Sequence, residues 1–522
     1  MPTFAEVLAS GYPADSDRLI LGAALEGGTV HREPKVAIPL AMVNRHGLIA
    51  GATGTGKTKT LQLLAEQLSA AGVPVFAADV KGDLSGVAAA GVPNDKVEGR
   101  ARDIGYTWEP RAMPAEFVSL TGKLGVQLRA TVSSFGPLLL AKVLSLNETQ
   151  AGVLAMVFRY ADEKGLPLLD FEDLRAVLRF LSSEEGKPEL KEFGGMSSAT
   201  VGVLLRKMIE LEEQGAGQFF GEPEFDVGDF LEVTSDGRGV ITCLELADVQ
   251  DKPRLWSTFM MWLLAELYQR LPEAGDLPRP KLVFFFDEAH LLFDDAPGAF
   301  MEQIERVVRL IRSKGVGVFF VTQTPKDVPE SVLTQLGNRI QHALRAHTPN
   351  DEAALRATVR TFPKTPFYDL EETLTSLGIG EAVVTGLDRR GVPTPVVATR
   401  LIPPSSRMGP LTPEELAAEV RQSPLQEQYG QAIDRESARE MLAKRMEGGG
   451  DDQRAGTGGN RREREGAGGS GAGAKVAKVA GAAVIGALTT TIGRTVGREI
   501  VRGIFGLLGA KAPRTTRRRS RW

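Results

Sequence analysis

A short segment near the start of the chain has the spacing of a phosphate-binding loop. The residues from Gly51 to Thr58 read Gly-Ala-Thr-Gly-Thr-Gly-Lys-Thr and fill every fixed position of the pattern G-x-x-x-x-G-K-[ST]. Glycines let backbone N–H groups approach phosphate oxygens, and a helix beginning after them points its positive dipole end at the same anion. The pattern predicts that Lys57 binds the β- and γ-phosphates of a nucleoside triphosphate and that the Thr58 hydroxyl binds Mg²⁺.

The elements on both sides of this loop strengthen the prediction. The apolar run 46–50 reads as a short buried strand that enters the loop, and 61–68 reads as an amphipathic helix that leaves it. A glycine-rich turn is the competing interpretation in a chain with 58 glycines, but strand, loop and helix in this order are the context that nucleotide binding requires. The predicted nucleotide-binding residues are Gly51, Ala52, Thr53, Gly54, Thr55, Gly56, Lys57, Thr58 and Lys59.

A pair of carboxylates supplies the second half of the predicted site. The hydrophobic segment 281–286 reads as a strand and is followed directly by Asp287 and Glu288. Alone, this pattern equally describes a strand that meets a solvated acidic turn. Together with the upstream loop it predicts that Asp287 completes the Mg²⁺ shell and that Glu288 polarises the attacking water as a general base. A carboxylate in the second position favours hydrolysis of the nucleotide.

Three more side chains are predicted at the same edge of the sheet. Gln323 follows the apolar strand 316–322, where a polar side chain senses the γ-phosphate or orients water. Asp79 and Asp83 follow the apolar strand 73–78, and the carboxyl ends of strands in an open parallel sheet face the ligand crevice. The competing interpretation of Gln323 is a polar cap at a strand end.

Composition restricts the class of protein. The chain has 522 residues, of which 42% are hydrophobic and 25% charged, with a net charge of −4. These values are typical of a globular protein and exclude a basic nucleic-acid coat, although a local basic channel remains open. The single cysteine, Cys243, excludes a disulfide framework. We find no secretory signal and no run of 18 apolar residues, so we expect a cytoplasmic protein, with peripheral membrane or nucleoid association left open.

Alternating strand and helix patterns predict an α/β fold with a mainly parallel sheet, interrupted by a helical insertion. The C-terminal part is predicted to be disordered or helical. Its arginines at i, i+4 spacing and its basic end would attract phosphate of DNA or lipid, or form a solvated tail. The predicted segments are a short lead-in (1–40), two parts of the core (41–134 and 233–405), a helical insertion (135–232), a helical extension (406–446), a disordered linker (447–474) and a small-residue amphipathic helix with a basic tail (475–522).

The motifs together resemble those of the HerA/FtsK superfamily of P-loop ATPases, and the bacterial HerA-like proteins most closely. The resemblance rests on four segments, which are 45–58, 79–83, 284–290 and 320–325. It implies a RecA-like P-loop NTPase core that uses ATP and Mg²⁺. It also implies a homo-oligomer, often a hexamer, that translocates double-stranded DNA.

The same resemblance implies roles for arginines. Arg312 matches the family's arginine finger, which acts on the nucleotide of a neighbouring subunit, and Arg45 matches another family arginine near the nucleotide. Arg339 is a weaker candidate. An arginine from the neighbouring subunit would stabilise the charge that develops on the phosphoryl group as it is transferred. A solvated cation at a helix end is the competing interpretation of Arg312.

Three functions remain open at this stage. The first is an ATP-hydrolysing DNA translocase or helicase-type motor. The second is an ATPase that drives a non-DNA client, such as protein export or a membrane-associated assembly. The third is a slow nucleotide-dependent scaffold. Fold-level analogy is a weak basis for choosing the substrate, so experiment must decide among them.

Overall fold

One large sheet organises the part of the chain that the computed structural model describes, which comprises residues 2–14, 17–293 and 298–454. Its order is β2-β1-β12-β11-β10-β3-β9-β8-β4-β7-β5-β6. The strands are β1 Arg18–Glu26, β2 Thr29–Pro39, β3 Gly47–Ala50, β4 Val75–Asp79, β5 Ala115–Ser119, β6 Val126–Gln127, β7 Ile241–Glu245, β8 Leu282–Phe286, β9 Val316–Thr322, β10 Asn338–His342, β11 Glu381–Thr385 and β12 Val397–Leu401.

The sheet has a parallel part and an antiparallel part. From β10 through β3, β9, β8, β4, β7 and β5 to β6, each strand runs parallel to its neighbour. From β10 through β11, β12 and β1 to β2, each pair is antiparallel. The carboxyl ends of the parallel strands therefore share one edge of the sheet, and their amino ends share the other.

The central strands are apolar because helices cover both of their faces. In β4, Phe76 and Ala78 belong to one hydrophobic core, whereas Val75 and Ala77 belong to the core on the opposite face. In β8, Phe284 belongs to the same core as Phe76 and Ala78. This alternation is the period-two side-chain direction of a strand, and it explains why these strands read as continuous hydrophobic runs.

Helices form most of the rest of the described structure. They are α1 Phe4–Gly11, α2 Lys57–Ala70, α3 Asp95–Ile104, α4 Val132–Val143, α5 Glu148–Lys164, α6 Phe171–Ser182, α7 Lys187–Glu192, α8 Ser198–Glu213, α9 Ala216–Phe219, α10 Pro253–Arg270, α11 His290–Phe293, α12 Gly298–Ile311, α13 Glu330–Leu333, α14 Pro349–Val359, α15 Leu370–Ser376, α16 Pro413–Gln422, α17 Pro424–Tyr429 and α18 Ala438–Arg454.

The helices α4 to α9 lie between β6 and β7 in sequence and pack on one face of the sheet. Their buried apolar residues belong to the same core as Phe76 and Phe284. Capping boxes at Asn147 and Asp170 define the starts of α5 and α6. The late helix α18 docks on this layer, where the Arg439 N–H donates to Asp173 Oδ1 at 2.9 Å.

The structure confirms the predicted α/β class with a mainly parallel sheet, and the predicted core strands agree with the observed ones within a few residues. The predicted lead-in contains β1 and β2, which pair as a long hairpin that extends the sheet. Two features differ from our expectations. The short strands β5 and β6 were not predicted, and α18 continues to Arg454 inside the predicted linker. The remainder of that linker and the segment 475–522 lie outside the described residues.

Candidate functional site

The glycine-rich loop joins β3 to α2 at the carboxyl edge of the sheet. It is tied to the neighbouring strands, because the Gly51 N–H donates to the Gln323 carbonyl at 3.1 Å and the Ala52 N–H donates to the Ala343 carbonyl at 2.9 Å. A Cβ at Gly51 would lie 2.4 Å from the Cβ of His342, so the loop packs too closely for a side chain there. Gly56 has a φ of 113°, which favours glycine. The loop backbone is therefore fixed in shape by its contacts.

Lys57 folds back over this loop. Its Nζ donates to the Gly51 carbonyl at 2.8 Å and to the Ala52 carbonyl at 3.3 Å, and the side chain is buried. Burial lowers its pKa, whereas the charge of Glu288 opposes that shift. An ammonium held at the centre of a phosphate-sized backbone loop fits the predicted contact with a triphosphate.

The next two predicted binding residues lie in the first turn of α2. Thr58 is half-buried beside Lys57, where the magnesium-binding hydroxyl of such a loop is expected. Lys59 instead donates to Gln62 Oε1 at 3.2 Å. Burial lowers the Lys59 pKa, and the charges of Asp83 and Asp79 oppose the shift, so this ammonium faces the acidic groups of the site.

Three carboxylates meet beyond the ends of β4 and β8. Asp79, Asp83 and Asp287 each offer an oxygen, and these oxygens all lie within 4.8 Å of one another. Burial raises the pKa of Asp287 to about 7, and the neighbouring charges of Asp79, Glu288 and Asp83 add to the shift. A divalent cation would relieve this repulsion, and carboxylate oxygens are the ligands that Mg²⁺ prefers. The residues present therefore fit a magnesium ion next to the phosphate loop.

Glu288 lies directly after Asp287 and is almost completely buried, with 6% of its side chain exposed. Its backbone has a φ of 46°, in the left-handed region that non-glycine residues seldom occupy. Oε1 forms an ion pair with the Lys81 ammonium. Oε2 is buried without a hydrogen-bond partner in the described part of the chain, 3.4 Å from His290 Nδ1. A buried carboxylate with one oxygen outside any hydrogen bond has the arrangement that a general base needs.

Gln323 is exposed just beyond the end of β9, next to the loop that its carbonyl holds. The turn after it is fixed by Asp327, whose Oδ2 accepts from the Thr322 hydroxyl at 2.6 Å and from the Thr324 N–H at 2.9 Å. This places the Gln323 side chain at the rim of the site, where it is available to a phosphate or a water molecule.

Arg45 and Arg312 lie at the opposite edge of the sheet. Each precedes a central strand, Arg45 before β3 and Arg312 before β9, whereas the phosphate loop follows β3. Arg45 Nη2 contacts Asp276 Oδ1 at 3.5 Å. Burial lowers the pKa of Arg312, and the nearby Arg45 adds to the shift, so the two guanidinium groups lie close together. Both guanidinium groups therefore lie at the edge of the sheet away from the nucleotide loop of their own chain, and the roles expected of them at a nucleotide stay predictions.

Arg339 also lies away from the loop. It is on β10, and its guanidinium donates to the Thr361 carbonyl at 3.2 Å and to the Leu333 carbonyl at 3.4 Å. Burial lowers its pKa. In this chain Arg339 ties β10 to two surrounding segments, and this geometry does not support a contact with the nucleotide.

Sequence reasoning missed several groups that shape the site. The carboxyl group of Glu245 is buried beside Asp79, and burial with the charges of Asp79, Asp83 and Asp248 raises its pKa to about 9. His342 lies under the loop and contacts the Thr60 hydroxyl through Nε2 at 2.9 Å. Each ends a strand adjacent to a motif strand, and that position at the carboxyl edge is the signal that could have found them.

A tight turn also supports the phosphate loop from the side. The Gly380 N–H donates to the Thr55 carbonyl at 3.0 Å. Arg100 on α3 holds this turn by donating to the carbonyls of Gly380 and Ile379 at 2.9 and 2.8 Å. The loop is therefore braced by a segment more than three hundred residues further along the chain.

Residues 26–513 match the family model described as Helicase HerA-like C-terminal. The chain belongs to this HerA-like family. Membership agrees with the resemblance seen in the motifs, and with a fold in which the glycine-rich loop and an acidic pair lie at one edge of a mainly parallel sheet.

Two curated relatives carry the name DNA double-strand break repair helicase HerA. The protein of Sulfolobus acidocaldarius is 22% identical over 370 residues, which cover 69% of this chain and 66% of the relative. That of Sulfurisphaera tokodaii is 24% identical over 365 residues, with the same coverage of 69% and 66%. The chain thus spans just under two thirds of the length of these relatives.

Among solved structures, the bacterial conjugative coupling protein TrwB, in a form named TrwBdeltaN70, is 14% identical to this chain with a TM-score of 0.48. The match covers 78% of this chain and 94% of that one. In residues 2–14, 17–293 and 298–454, no helix combines the length and apolar character needed to cross a membrane.

Proposed function

We propose that this protein is an ATP-hydrolysing motor that translocates double-stranded DNA as a ring of identical subunits, with six the expected number. The observation that carries the proposal is the convergence of Lys57, Asp287 and Glu288, which come from separate elements of the chain and meet at one edge of the sheet. The charges of Glu288 and Asp287 oppose the lowering of the Lys57 pKa by burial, which supports a single site formed by the phosphate loop and the acidic pair.

The proposed chemistry is hydrolysis of the β–γ phosphoanhydride bond. Lys57 binds the β- and γ-phosphates, and Thr58 and Asp287 hold Mg²⁺, which neutralises charge on the phosphates. Glu288 accepts a proton from water as the water oxygen bonds to the γ-phosphorus, while the bond from that phosphorus to the bridging oxygen breaks. Gln323 orients the water at the rim, and ADP and phosphate leave.

The positions of Arg45 and Arg312 support action between subunits. Both lie at the edge of the sheet away from their own nucleotide loop, so they would reach a nucleotide only in an adjacent subunit. An arginine supplied in trans stabilises charge in the transition state and makes hydrolysis depend on assembly. We infer a ring from this arrangement and from the family.

DNA as the substrate is inferred from the family and from the names of the curated relatives. The test is the rate of ATP hydrolysis with and without duplex DNA over a series of salt concentrations, together with the mass in solution with ATP bound. We expect stimulation that decreases steeply with salt and a mass of several subunits.

The outcomes separate the three functions. Basal hydrolysis that no form of DNA stimulates would contradict a DNA motor and favour an ATPase with another client. Very slow basal hydrolysis, with capture of partners that needs ATP binding alone, would favour the scaffold. Deletion of 475–522 tests whether that segment binds DNA, because the salt dependence would then weaken.

A further inference from the structure

The turn Asp79–Asp83 carries two of the carboxylates that could hold magnesium and one side chain, Lys81, that the proposed chemistry does not use. The Asp79 carboxylate accepts three backbone N–H groups, from Lys81 at 3.1 Å, from Gly82 at 2.8 Å and from Leu84 at 2.8 Å. Gly82 has a φ of 72° in the left-handed region, which allows the chain to reverse there. The backbone on either side of Lys81 is therefore fixed, and the side chain starts from a defined point.

Pairing of the strands brings this turn beside Glu288. The strands β4 and β8 are parallel neighbours with Ala78 opposite Phe286, and the Asp287 N–H donates to the Ala78 carbonyl at 3.2 Å. Lys81 thus leaves the end of β4 at the level where Glu288 leaves the end of β8. Its ammonium contacts Glu288 Oε1, while about half of the lysine side chain stays exposed.

The contact with Lys81 gives the two carboxylate oxygens of Glu288 different surroundings. Oε1 is held by the ammonium, whereas Oε2 is buried and has no hydrogen-bond partner among the described residues. A buried carboxylate is costly to keep charged unless a cation or hydrogen bonds compensate it. The lysine supplies that charge on one oxygen and fixes the rotation of the carboxylate, so the other oxygen remains available to accept a proton.

We propose that Lys81 is the positioning residue for Glu288, which it holds through Oε1 so that Oε2 faces the attacking water. The inference rests on the proposed role of Glu288 as general base. Lys81 acts through Glu288 and does not bind the phosphates, which Lys57 binds. It follows that Asp79 serves the reaction by shaping the turn that carries Lys81.

The contact itself is tested without nucleotide. Acetylation of lysines by acetic anhydride, followed by mass spectrometry, measures how freely each ammonium reacts. We expect Lys81 to react faster in Glu288→Gln than in the wild type. The variant has no carboxylate there to stabilise the charged ammonium, and acetic anhydride reacts with the neutral amine. The exposed Lys123, in the turn after β5, should react equally in both proteins. Equal rates for Lys81 in the two proteins would overturn the contact, whatever the protein's activity.

The function of the contact is tested by Lys81→Met and Lys81→Arg, with Lys123→Met as the matched control. We expect Lys81→Met to lower kcat by about tenfold or more, since the base loses its orientation, while the Kd for a fluorescent ATP analogue stays within about twofold. Lys81→Arg should recover most of kcat, because it restores a cation at Oε1. Lys123→Met should leave both values unchanged.

A double variant separates positioning from phosphate binding. If Lys81 works only through Glu288, then Lys81→Met adds no further loss of kcat in the Glu288→Gln background. An additive loss, a weaker Kd with kcat retained, or a kcat equal to or above that of the wild type in Lys81→Met would each overturn the proposal. So would a lowered melting temperature in Lys81→Met that Lys81→Arg does not restore. A wild-type protein without ATPase activity would refute the proposed function and leave the acetylation result standing.

Discussion

The two edges of the parallel sheet carry opposite kinds of chemistry. At the carboxyl edge, the phosphate loop, Asp287 and Glu288 form a buried site that brings acids and lysines together. At the amino edge, Arg45 and Arg312 lie together with the exposed Asp276 as their nearest acid. The first edge holds the groups that we propose bind and cleave a nucleotide, and the second presents two arginines away from the phosphate loop of their own chain.

The chain thus separates its phosphate loop and acidic pair from Arg45 and Arg312 by the length of a central strand. The strand β3 is only a few residues long, yet its rise of about 3.3 Å per residue already puts about 13 Å between Gly47 and Gly51, where the loop begins. A guanidinium that precedes β3 and is directed toward Asp276 does not approach that loop. If both edges serve one reaction, the amino edge of one subunit must meet the carboxyl edge of the next.

The largest expected effect is that of Lys57→Ala at the carboxyl edge. Removal of the ammonium leaves the charge of the β- and γ-phosphates uncompensated, so we expect ATP turnover to fall below detection and ATP affinity to fall with it. Phosphate release and titration with a fluorescent ATP analogue measure the two effects. Lys123→Ala, at an exposed turn, is the control. Normal turnover in Lys57→Ala would remove the loop from the reaction.

The next largest effect is expected from Arg312→Ala at the amino edge. An arginine finger contributes about 10³-fold or more to kcat, so turnover should fall by that order while ATP affinity changes little. Arg309→Ala, one turn earlier on α12 and exposed, should retain activity. The measurement is kcat at saturating ATP.

Mixing two inactive proteins decides whether Arg312 acts between subunits. Arg312→Ala has an intact phosphate loop and Lys57→Ala has an intact arginine, so a mixed ring contains some complete sites. We expect activity to return on mixing, with a dependence on the ratio of the two proteins. If a mixture that is shown to exchange subunits recovers no activity, then Arg312 either acts within its own chain or has no role in hydrolysis.

A smaller loss is expected from Glu288→Gln. The amide keeps the shape of the side chain but accepts protons poorly, so kcat should fall by about 10²- to 10³-fold while the affinity for ATP is retained. Pre-steady-state phosphate release separates the chemical step from product release. Turnover at the wild-type rate in this variant would refute the role of Glu288 as base.

The sequence alone predicted the carboxyl edge well because its signals are local. The phosphate loop and the pair Asp287–Glu288 each follow an apolar strand directly, and parallel strands bring their carboxyl ends together. The α/β class and most core strands followed from the same alternation of patterns. Roles for these residues stay proposals, but their meeting in space is what the spacing led us to expect.

Other contacts could not be predicted from local sequence patterns. The ion pair of Lys81 with Glu288 depends on β4 lying next to β8, although the two residues are separated by more than two hundred positions in the chain. The location of Arg45 and Arg312 depends on strand direction, which a motif match does not supply. The brace of Gly380 against the phosphate loop needs the antiparallel part of the sheet, whose order the sequence did not reveal.

The smallest expected effect concerns stability at the carboxyl edge, through Glu245. Its pKa is raised from 4.5 to about 9 by burial and by Asp79, Asp83 and Asp248. Between these values the unfolded chain releases the proton and the folded chain keeps it, so stability falls as pH rises through this window. Glu245→Gln cannot ionise in either state. We expect it to be more stable than the wild type by a few kcal/mol at pH 8 and by less than about 1 kcal/mol at pH 5.

Urea unfolding in EDTA at the two pH values measures this difference, with Glu109→Gln as an exposed control. A difference that grows with pH shows that the lysines of the site leave Glu245 uncompensated, since a fully neutralised cluster would hold its carboxylates ionised. A difference that does not change with pH would mean that Lys59 or another cation already compensates the charge of Glu245. The acids of the carboxyl edge would then be fully paired with cations, in contrast to the exposed amino edge.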